Sequence, residues 1–343
     1  MIKESYFLYS ASVISILSYI FFLRYAKKIS NYLKINDIPD NRRKIHKIKT
    51  PKTACFSLVT LLLFVLIMNN IFIFYPKDFN IIIICSLSIF FIGFVDDRAN
   101  LSPYKKILFI SFILIISLYF SENLIIEKFY IKTYDLFIPL NKFKLFFTIL
   151  CILLLINSLN LADGINGLAI GISFFWLFYI IQIYKLSFNF IIITILSNLM
   201  LSFFYTFKGK HFLGDSGSLM LGAFVALTAI YGNNFYLQAG IFPNNAEQLI
   251  ILFLLPGLDM FRLFIERIYK GQNPLVADKN HIHHYLIKQF SLAKTLFLYF
   301  SFMNLPIIAS LYLKFSLIYI LIIFVIFYYF VIFYLKNYFA ISH

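Results

Sequence analysis

Long uncharged apolar runs follow one another along this chain, separated by short polar stretches. Taken as segments of about 17 to 25 residues, the length that crosses a ~30 Å hydrocarbon core, the pattern predicts eleven helices. They lie at 5–23, 53–75, 79–95, 107–121, 145–157, 166–184, 186–207, 217–232, 247–261, 295–313 and 315–335. The fourth, fifth and ninth are short. The expected fold is an all-α integral membrane protein, a polytopic bundle of about eleven (ten to eleven) transmembrane helices. No repeat, low-complexity linker or separable soluble domain interrupts it, so residues 1–343 read as one domain. The first run continues through Tyr19 to Leu23 without a small-residue cleavage site, which predicts a retained anchor.

Composition agrees: 61% of residues are hydrophobic and 13% charged, about half the ~25% charge of a soluble domain. A net charge of +15 raises the prospect of nucleic acid, and the positions of the charges argue against it. With the N-terminus outside and the spans alternating, the inner loops hold 22 of the 30 Lys and Arg residues, ten of them between Arg24 and Lys52. That is the positive-inside asymmetry of a membrane protein. Its basic face is expected toward membrane lipids and phosphates, with no nucleic acid partner. Cys55, Cys85 and Cys151 fall inside the spans and predict neither a disulfide framework nor a cysteine metal site.

Five polar clusters punctuate the inner loops. In "NDIPDNRRKIHKIKTP", positive charge alone would serve as a topology signal, while Arg43, Lys44 and His46 could grip a phosphate. In "FVDDRANLSPYKK", two adjacent acids close an apolar run, although a helix C-terminus disfavours negative charge. Asp96 and Asp97, with Lys106 beyond them, make sense where a divalent cation meets a phosphate or where a carboxylate acts as base. "INSLNLADGINGLA" offers Asn157, Asn160 and Asp163 as oxygen ligands for a hard cation, and its glycines also suit a re-entrant turn or close helix packing. "HFLGDSGSLMLG" places Asp215 between glycines at a helix start, as ordinary capping or as a Mg²⁺–phosphate site. Its match to a serine-protease signature is set aside, because no accompanying architecture is present. The fifth, residues 256–286, contains Arg267, Asp278, His281, His283 and His284. The histidine spacing, without cysteine, does not favour zinc.

In order, Asp37-x-Pro39 with Arg43-Lys44-x-His46, Asp96-Asp97 with Leu101-Ser102-Pro103 and Lys106, Asn157-x-x-Asn160-x-x-Asp163-Gly164-x-x-Gly167-Leu168, Gly214-Asp215-x-Gly217-Ser218, and Pro256-x-x-Asp259 through His281-x-His283-His284 resemble the five loop motifs of one family. It is the polyprenyl-phosphate N-acetylhexosamine-1-phosphate transferases, of glycosyltransferase family 4 type. The resemblance spans about residues 36 to 290. Ala54 and Cys55 stand where the family usually has a glycine pair, and Ile110 where a glutamine often follows. Asn166 and the His-Ile-His-His order depart from the phospho-N-acetylmuramoyl-pentapeptide transferase branch, which makes the sugar-1-phosphate branch the better fit.

The resemblance implies a bacterial inner-membrane enzyme with its active site on the cytoplasmic side. It would transfer a sugar-1-phosphate from a UDP-N-acetylhexosamine to undecaprenyl phosphate, initiating a cell-envelope polysaccharide such as O-antigen. Mg²⁺, or Mn²⁺ in its place, is the implied cofactor, with Asp215 and Asn160 as metal ligands. Asp96, Asp97, Asp163 and Lys106 are the implied catalytic residues, the aspartate pair orienting or deprotonating the lipid phosphate. Arg43, Lys44, His46, Asn157, Arg267, Asp278, His281, His283 and His284 are the implied substrate contacts. A homodimer stays open. A polytopic transporter or flippase is the rival class, distinguished by ionisable groups near mid-bilayer rather than at the inner ends of spans.

Overall fold

The computed structural model describes residues 2–38, 49–131, 134–240, 245–273, 280–313 and 316–341. A helix lies in each of the eleven apolar segments: α1 (Ile2–Leu33), α2 (Phe56–Phe72), α3 (Lys77–Ala99), α4 (Pro103–Tyr119), α5 (Lys144–Ala162), α6 (Leu168–Ile183), α7 (Asn189–Phe207), α8 (Gly214–Gln238), α9 (Asn245–Tyr269), α11 (Leu292–Leu311) and α12 (Leu317–Ile341). A short helix, α10 (Ile282–Gln289), precedes α11. Among the described residues, eight helices are long and apolar enough to cross a membrane, and α2 and α6 are apolar but shorter. The protein is therefore an all-α, multi-pass membrane protein.

Two short antiparallel ladders were not expected. Strands β1 (Asn36–Asp37) and β2 (Thr50–Pro51) pair Asn36 with Pro51 and Asp37 with Thr50. Strands β3 (Lys128–Ile131) and β4 (Leu136–Pro139) form a hairpin whose Leu136, Phe137 and Ile138 are exposed. Helix α1 also runs ten residues past its apolar run, to Leu33, and stops where Lys34 takes a left-handed φ of 58°. Hydropathy marks where a chain leaves hydrocarbon; the helical hydrogen bonds continue until a residue breaks them.

The chain divides into two compact units, residues 1–127 with 140–241, and residues 128–139 with 242–343. In the first, α8 is the central helix: it is the least apolar of the eight long spans and the most deeply buried. Without lipid on its surface, α8 needs small residues for close packing more than it needs apolar ones. A Cβ on Gly222 would lie 2.8 Å from Ile156 Cα on α5, and one on Gly93 of α3 would lie 2.5 Å from Ser216 Cα on α8. Helices α3 and α5 thus touch α8 almost backbone to backbone.

Polar side chains gather at both ends of α3. At its start, Asp78 accepts hydrogen bonds from Ser121 Oγ (2.5 Å) and Asn123 Nδ2 (2.9 Å), and Asn234 of α8 donates to the carbonyls of Asn123 and Ile125. Nineteen residues on, about 28 Å along the axis at 1.5 Å per residue, the last turn of α3 carries Asp96 and Asp97. In the second unit, α9 packs with α11 and α12, and α10 lies against α11 and α12.

Candidate active site

The site is built where the last turn of α3 meets the first turns of α4 and α8. Helix α3 ends at Asn100, whose φ of 50° and ψ of 73° are left-handed and whose N–H bonds to the Asp96 carbonyl at 2.9 Å. The Asp96 carboxylate then accepts from Leu101 N–H at 2.6 Å, which fixes the turn. Pro103, at the first position of α4, starts the next helix at once. One turn into α4, Lys106 comes back to Asp96, its Nζ 2.7 Å from Oδ2. The same ammonium reaches Asp215 Oδ2 at 3.2 Å. Sequence spacing alone had grouped Asp96 with Lys106; the fold adds Asp215, more than a hundred residues later.

Asp97 points the other way. Its carboxylate accepts from the backbone N–H groups of Asp215 (3.1 Å) and Ser216 (3.0 Å), the first turn of α8, and from Lys52 Nζ at 2.8 Å. This explains an acid placed where its own helix disfavours one: the partial positive charge it meets is the N-terminus of α8. The Gly-Asp-x-Gly-Ser motif does not cap its own helix through a side chain; the acid that accepts these N–H groups arrives from α3. Gly214 sits at φ 74°, and a Cβ there would come within 2.8 Å of Asp97 Oδ2. Neither a side chain nor ordinary helical geometry would leave room for the contact.

Asn160 and Asp163 close the ring from the end of α5. Asn160 Oδ1 accepts from Ser218 Oγ at 3.3 Å, one turn above Gly214. Asp163, the last residue of that helix's exit, is pushed well above the usual carboxylate range by burial and then by the Asp215 charge. Asn157 is not bonded to the cluster; its amide donates to the Leu153 carbonyl of its own helix.

Lys52 is the residue that sequence reading missed. It is one of ten basic residues in a loop where charge count alone cannot single one out. Its position comes from the backbone: Lys52 N–H bonds to Ile35 O at 3.1 Å, while Phe212 N–H bonds to Pro51 O (2.8 Å) and Ala54 N–H to Phe212 O (3.1 Å). The segment before α2 is thereby stitched to the segment before α8. Burial disfavours the Lys52 charge, yet the Asp97 carboxylate outweighs it and holds the ammonium above its ordinary range.

Three aspartates thus have different exposures. The Asp97 side chain is fully buried and that of Asp96 is 4% exposed, while that of Asp215 is 32% exposed. Only Asp215 of the three has a carboxylate open to a ligand. The Asp96 and Asp215 carboxylates share the Lys106 ammonium, 2.7 Å from one and 3.2 Å from the other, whose positive charge offsets their mutual repulsion. Among the described residues, Asp96, Asp97, Asp163 and Asp215 face two ammonium groups, Lys52 and Lys106. No group of three or more His, Cys, Asp or Glu there forms a ready-made metal cage. All-oxygen donors, one exposed carboxylate and excess negative charge fit magnesium, which binds through one or two carboxylates and completes its shell with phosphates and water.

In the second unit a separate buried network forms around Asp259. Its carboxylate accepts from Arg262 Nη2 (2.9 Å) and Tyr328 Oη (2.7 Å) and pairs with His281 Nδ1 at 2.8 Å. Arg262 also donates to Glu266 Oε1 and to the Asn280 carbonyl, which fastens α9 to the start of α10. The rings of His281 and His283 stack at 5.4 Å, and His284 lies 4.3 Å from His283. Burial, then the neighbouring histidines, hold His283 well below the usual imidazole range. Arg267 is buried in the same unit. Arg262 and Tyr328 had no motif to mark them. Arg43, Lys44, His46 and Asp278 lie outside the described residues.

Comparison with known proteins gives the same family as the motifs. Residues 79–233, the stretch from α3 through most of α8, match the sequence model of the family described as glycosyl transferase family 4. The chain is 28% identical over 292 residues to a probable undecaprenyl-phosphate N-acetylglucosaminyl 1-phosphate transferase of Bacillus subtilis, covering 81% of this chain and 76% of that protein. It is 26% identical to the undecaprenyl-phosphate alpha-N-acetylglucosaminyl 1-phosphate transferases of Escherichia coli K12, over 78% of this chain and 73% of the relative, and of Thermotoga maritima, over 84% of each. Over residues 79–233 the chain is similar to glycosyl transferase family 4, and together these matches support a membrane-embedded phosphosugar transferase enzyme.

Proposed function

We propose that this protein transfers N-acetylhexosamine-1-phosphate from a UDP-sugar to undecaprenyl phosphate at the inner face of a bacterial cytoplasmic membrane, initiating a cell-envelope glycan. A lipid phosphate oxygen forms a bond to the sugar-bearing phosphorus of the donor, and the bond from that phosphorus to the UMP oxygen breaks. UMP leaves, and the lipid carries a pyrophosphoryl sugar. The observation that carries the reading is the convergence of Asp96, Lys106 and Asp215 at adjoining helix ends within the family-matching segment.

The physical task is to bring two phosphate anions together, so positive charge and exclusion of water do most of the catalysis. Asp215, with Asn160 behind it through Ser218, would hold Mg²⁺ or Mn²⁺, which when bound supplies positive charge against the pyrophosphate. Lys106, already anchored by Asp96, stands ready to exchange a carboxylate for a phosphate oxygen. Asp96 keeps that ammonium aimed, and Asp163 adds an acid beside Asp215. Arg43, Lys44, His46, Asn157, Arg267, Asp278, His281, His283 and His284 complete the proposal as substrate contacts.

The finer topology belongs to the same proposal: eleven spans, the N-terminus outside and one functional domain. It is supported by the Lys and Arg distribution and by the eleven apolar segments each forming a helix. Acids at helix ends support interfacial chemistry over transport. A homodimer is not needed for this reading. Purified protein given undecaprenyl phosphate and, in turn, each UDP-N-acetylhexosamine should release UMP and form a sugar-pyrophosphoryl lipid with at least one donor. Absence of lipid product with every donor would refute the assignment.

A further inference from the structure

We infer that Lys52 and Asp97 form a latch that positions the first turn of α8, and that Asp97 acts as a positioning residue rather than on substrate. The inference rests on the transferase reading for its consequence in catalysis, and on geometry alone for its structural part.

Four observations converge. First, the Asp97 side chain is fully buried, and its two oxygens are taken by three donors, Lys52 Nζ and the N–H groups of Asp215 and Ser216. A carboxylate so engaged has no face left for a lipid phosphate. Its immediate neighbour differs: Asp96 is tied to Lys106, and Lys106 in turn to the exposed Asp215.

Second, the two N–H groups it binds belong to Asp215 itself and to the next residue. Asp97 thus grips the backbone of the residue whose carboxylate faces outward. A displacement of the first turn of α8 moves that carboxylate by the same amount.

Third, two glycines make the grip geometrically available. Gly93, one helical turn before Asp97 on the same face of α3, lets the backbones of α3 and α8 touch, and Gly214 leaves room for the carboxylate itself. A residue meant only to meet substrate needs neither.

Fourth, Lys52 reaches Asp97 from a segment fixed by backbone bonds to Ile35 and Phe212. The latch therefore ties the chain before α2, the end of α3 and the start of α8 at one point. Two buried N–H groups at a helix start need an acceptor, and a negative one is best. The Lys52 ammonium supplies a paired positive charge to that acceptor at 2.8 Å.

The adjacent aspartates accordingly divide the labour. Asp96 serves Lys106, and Asp97 serves the backbone beneath Asp215. Replacing either latch partner should have the same effect, because each acts through the same displacement.

The test uses the purified full-length protein and the variants Lys52→Met, Asp97→Asn, their double mutant and Lys52→Arg. Two readouts are needed: hydrogen exchange of the peptide containing residues 214–217, and kcat and KM for lipid product formation. The latch predicts faster exchange in that peptide for Lys52→Met and Asp97→Asn, with the peptides at the other end of α8 unchanged. It also predicts a fall in kcat of about 100-fold for each, the size of effect a 1 Å misplacement produces, with KM for both substrates within about threefold. The double mutant should be no worse than the worse single variant, and Lys52→Arg should recover most of kcat and of the protection. The positioning role is overturned if Asp97→Asn abolishes turnover while Lys52→Met leaves it near wild type, or if exchange at 214–217 is unaltered in both. Should wild-type protein show no transfer, the proposed function fails, and the exchange experiment still decides the latch.

Discussion

Gly93 offers a severe test of how the site is held. Its Cβ, were there one, would lie 2.5 Å from the Asp215 carbonyl oxygen, 2.5 Å from Ser216 Cα and 2.6 Å from Ser216 N. These are backbone atoms, so no side chain can swing aside. Carbon atoms rest at about 3.5 to 4.0 Å, and Gly93→Ala must therefore push the first turn of α8 back by about 1 Å. The Asp97 bonds to Asp215 and Ser216, now 3.1 and 3.0 Å, would stretch to about 4 Å and be lost as hydrogen bonds. Overpacking of this kind costs about 1 to 3 kcal/mol, and loss of a helix cap adds about 1 kcal/mol. Because Asp215 moves with its backbone, turnover should fall about 100-fold. The assay is lipid product formation in detergent or nanodiscs, paired with thermal unfolding. Gly257→Ala is the control: a Cβ there meets nothing within 4 Å, and alanine favours a helix interior by about 0.5 to 1 kcal/mol. Wild-type turnover and stability in Gly93→Ala would refute the close approach of α3 and α8 on which the site depends.

Other consequences follow from buried groups away from that contact. Burial lowers the pKa of His211 to about 4, against an ordinary value near 6.5, so the folded protein resists a proton that the unfolded chain accepts. Its stabilising contribution is complete above pH 6.5 and is lost as pH falls toward 4, by about 3 kcal/mol in all; the fall in unfolding temperature over this window should flatten in His211→Gln, and an unchanged slope would count against it. Tyr328→Phe removes a hydroxyl that donates to Asp259 and accepts from Arg262 Nε, both at 2.7 Å. That change should cost about 1.5 to 3 kcal/mol, as for hydrogen bonds to charged groups, whereas an unfolding midpoint equal to wild type would show that the network bears no weight.

Much of this was legible in the chain because a membrane imposes simple rules. Each of the eleven apolar segments holds a helix, and eight of these, among the described residues, are long and apolar enough to cross a membrane, where hydrocarbon demands uninterrupted backbone bonding. The polar clusters stood out because charge at a span end is conspicuous against an apolar background. Roles were harder to read. Asp96 and Asp97 look equivalent as neighbours, yet a helix turns about 100° between adjacent residues, and so one meets α4 and the other α8. Lys52 was hidden among basic residues, because what distinguishes it is that its neighbours Pro51 and Ala54 pair through the backbone with Phe212, about 160 residues away. A hint was present in its place directly before the apolar run of α2. Arg262 and Tyr328 were hidden differently: their partner, Asp259, is recognisable, but contacts between α9 and α12 leave no local pattern. The short ladders and α10 are too brief to generate a periodicity.

The central claim is that an exposed carboxylate, Asp215, anchors catalysis at the start of α8. Its most direct test is the initial rate of lipid-linked sugar formation by Asp215→Asn, with folding confirmed by size-exclusion profile and unfolding temperature. A folded protein with transfer reduced to background is the expected result. Turnover equal to wild type would contradict it.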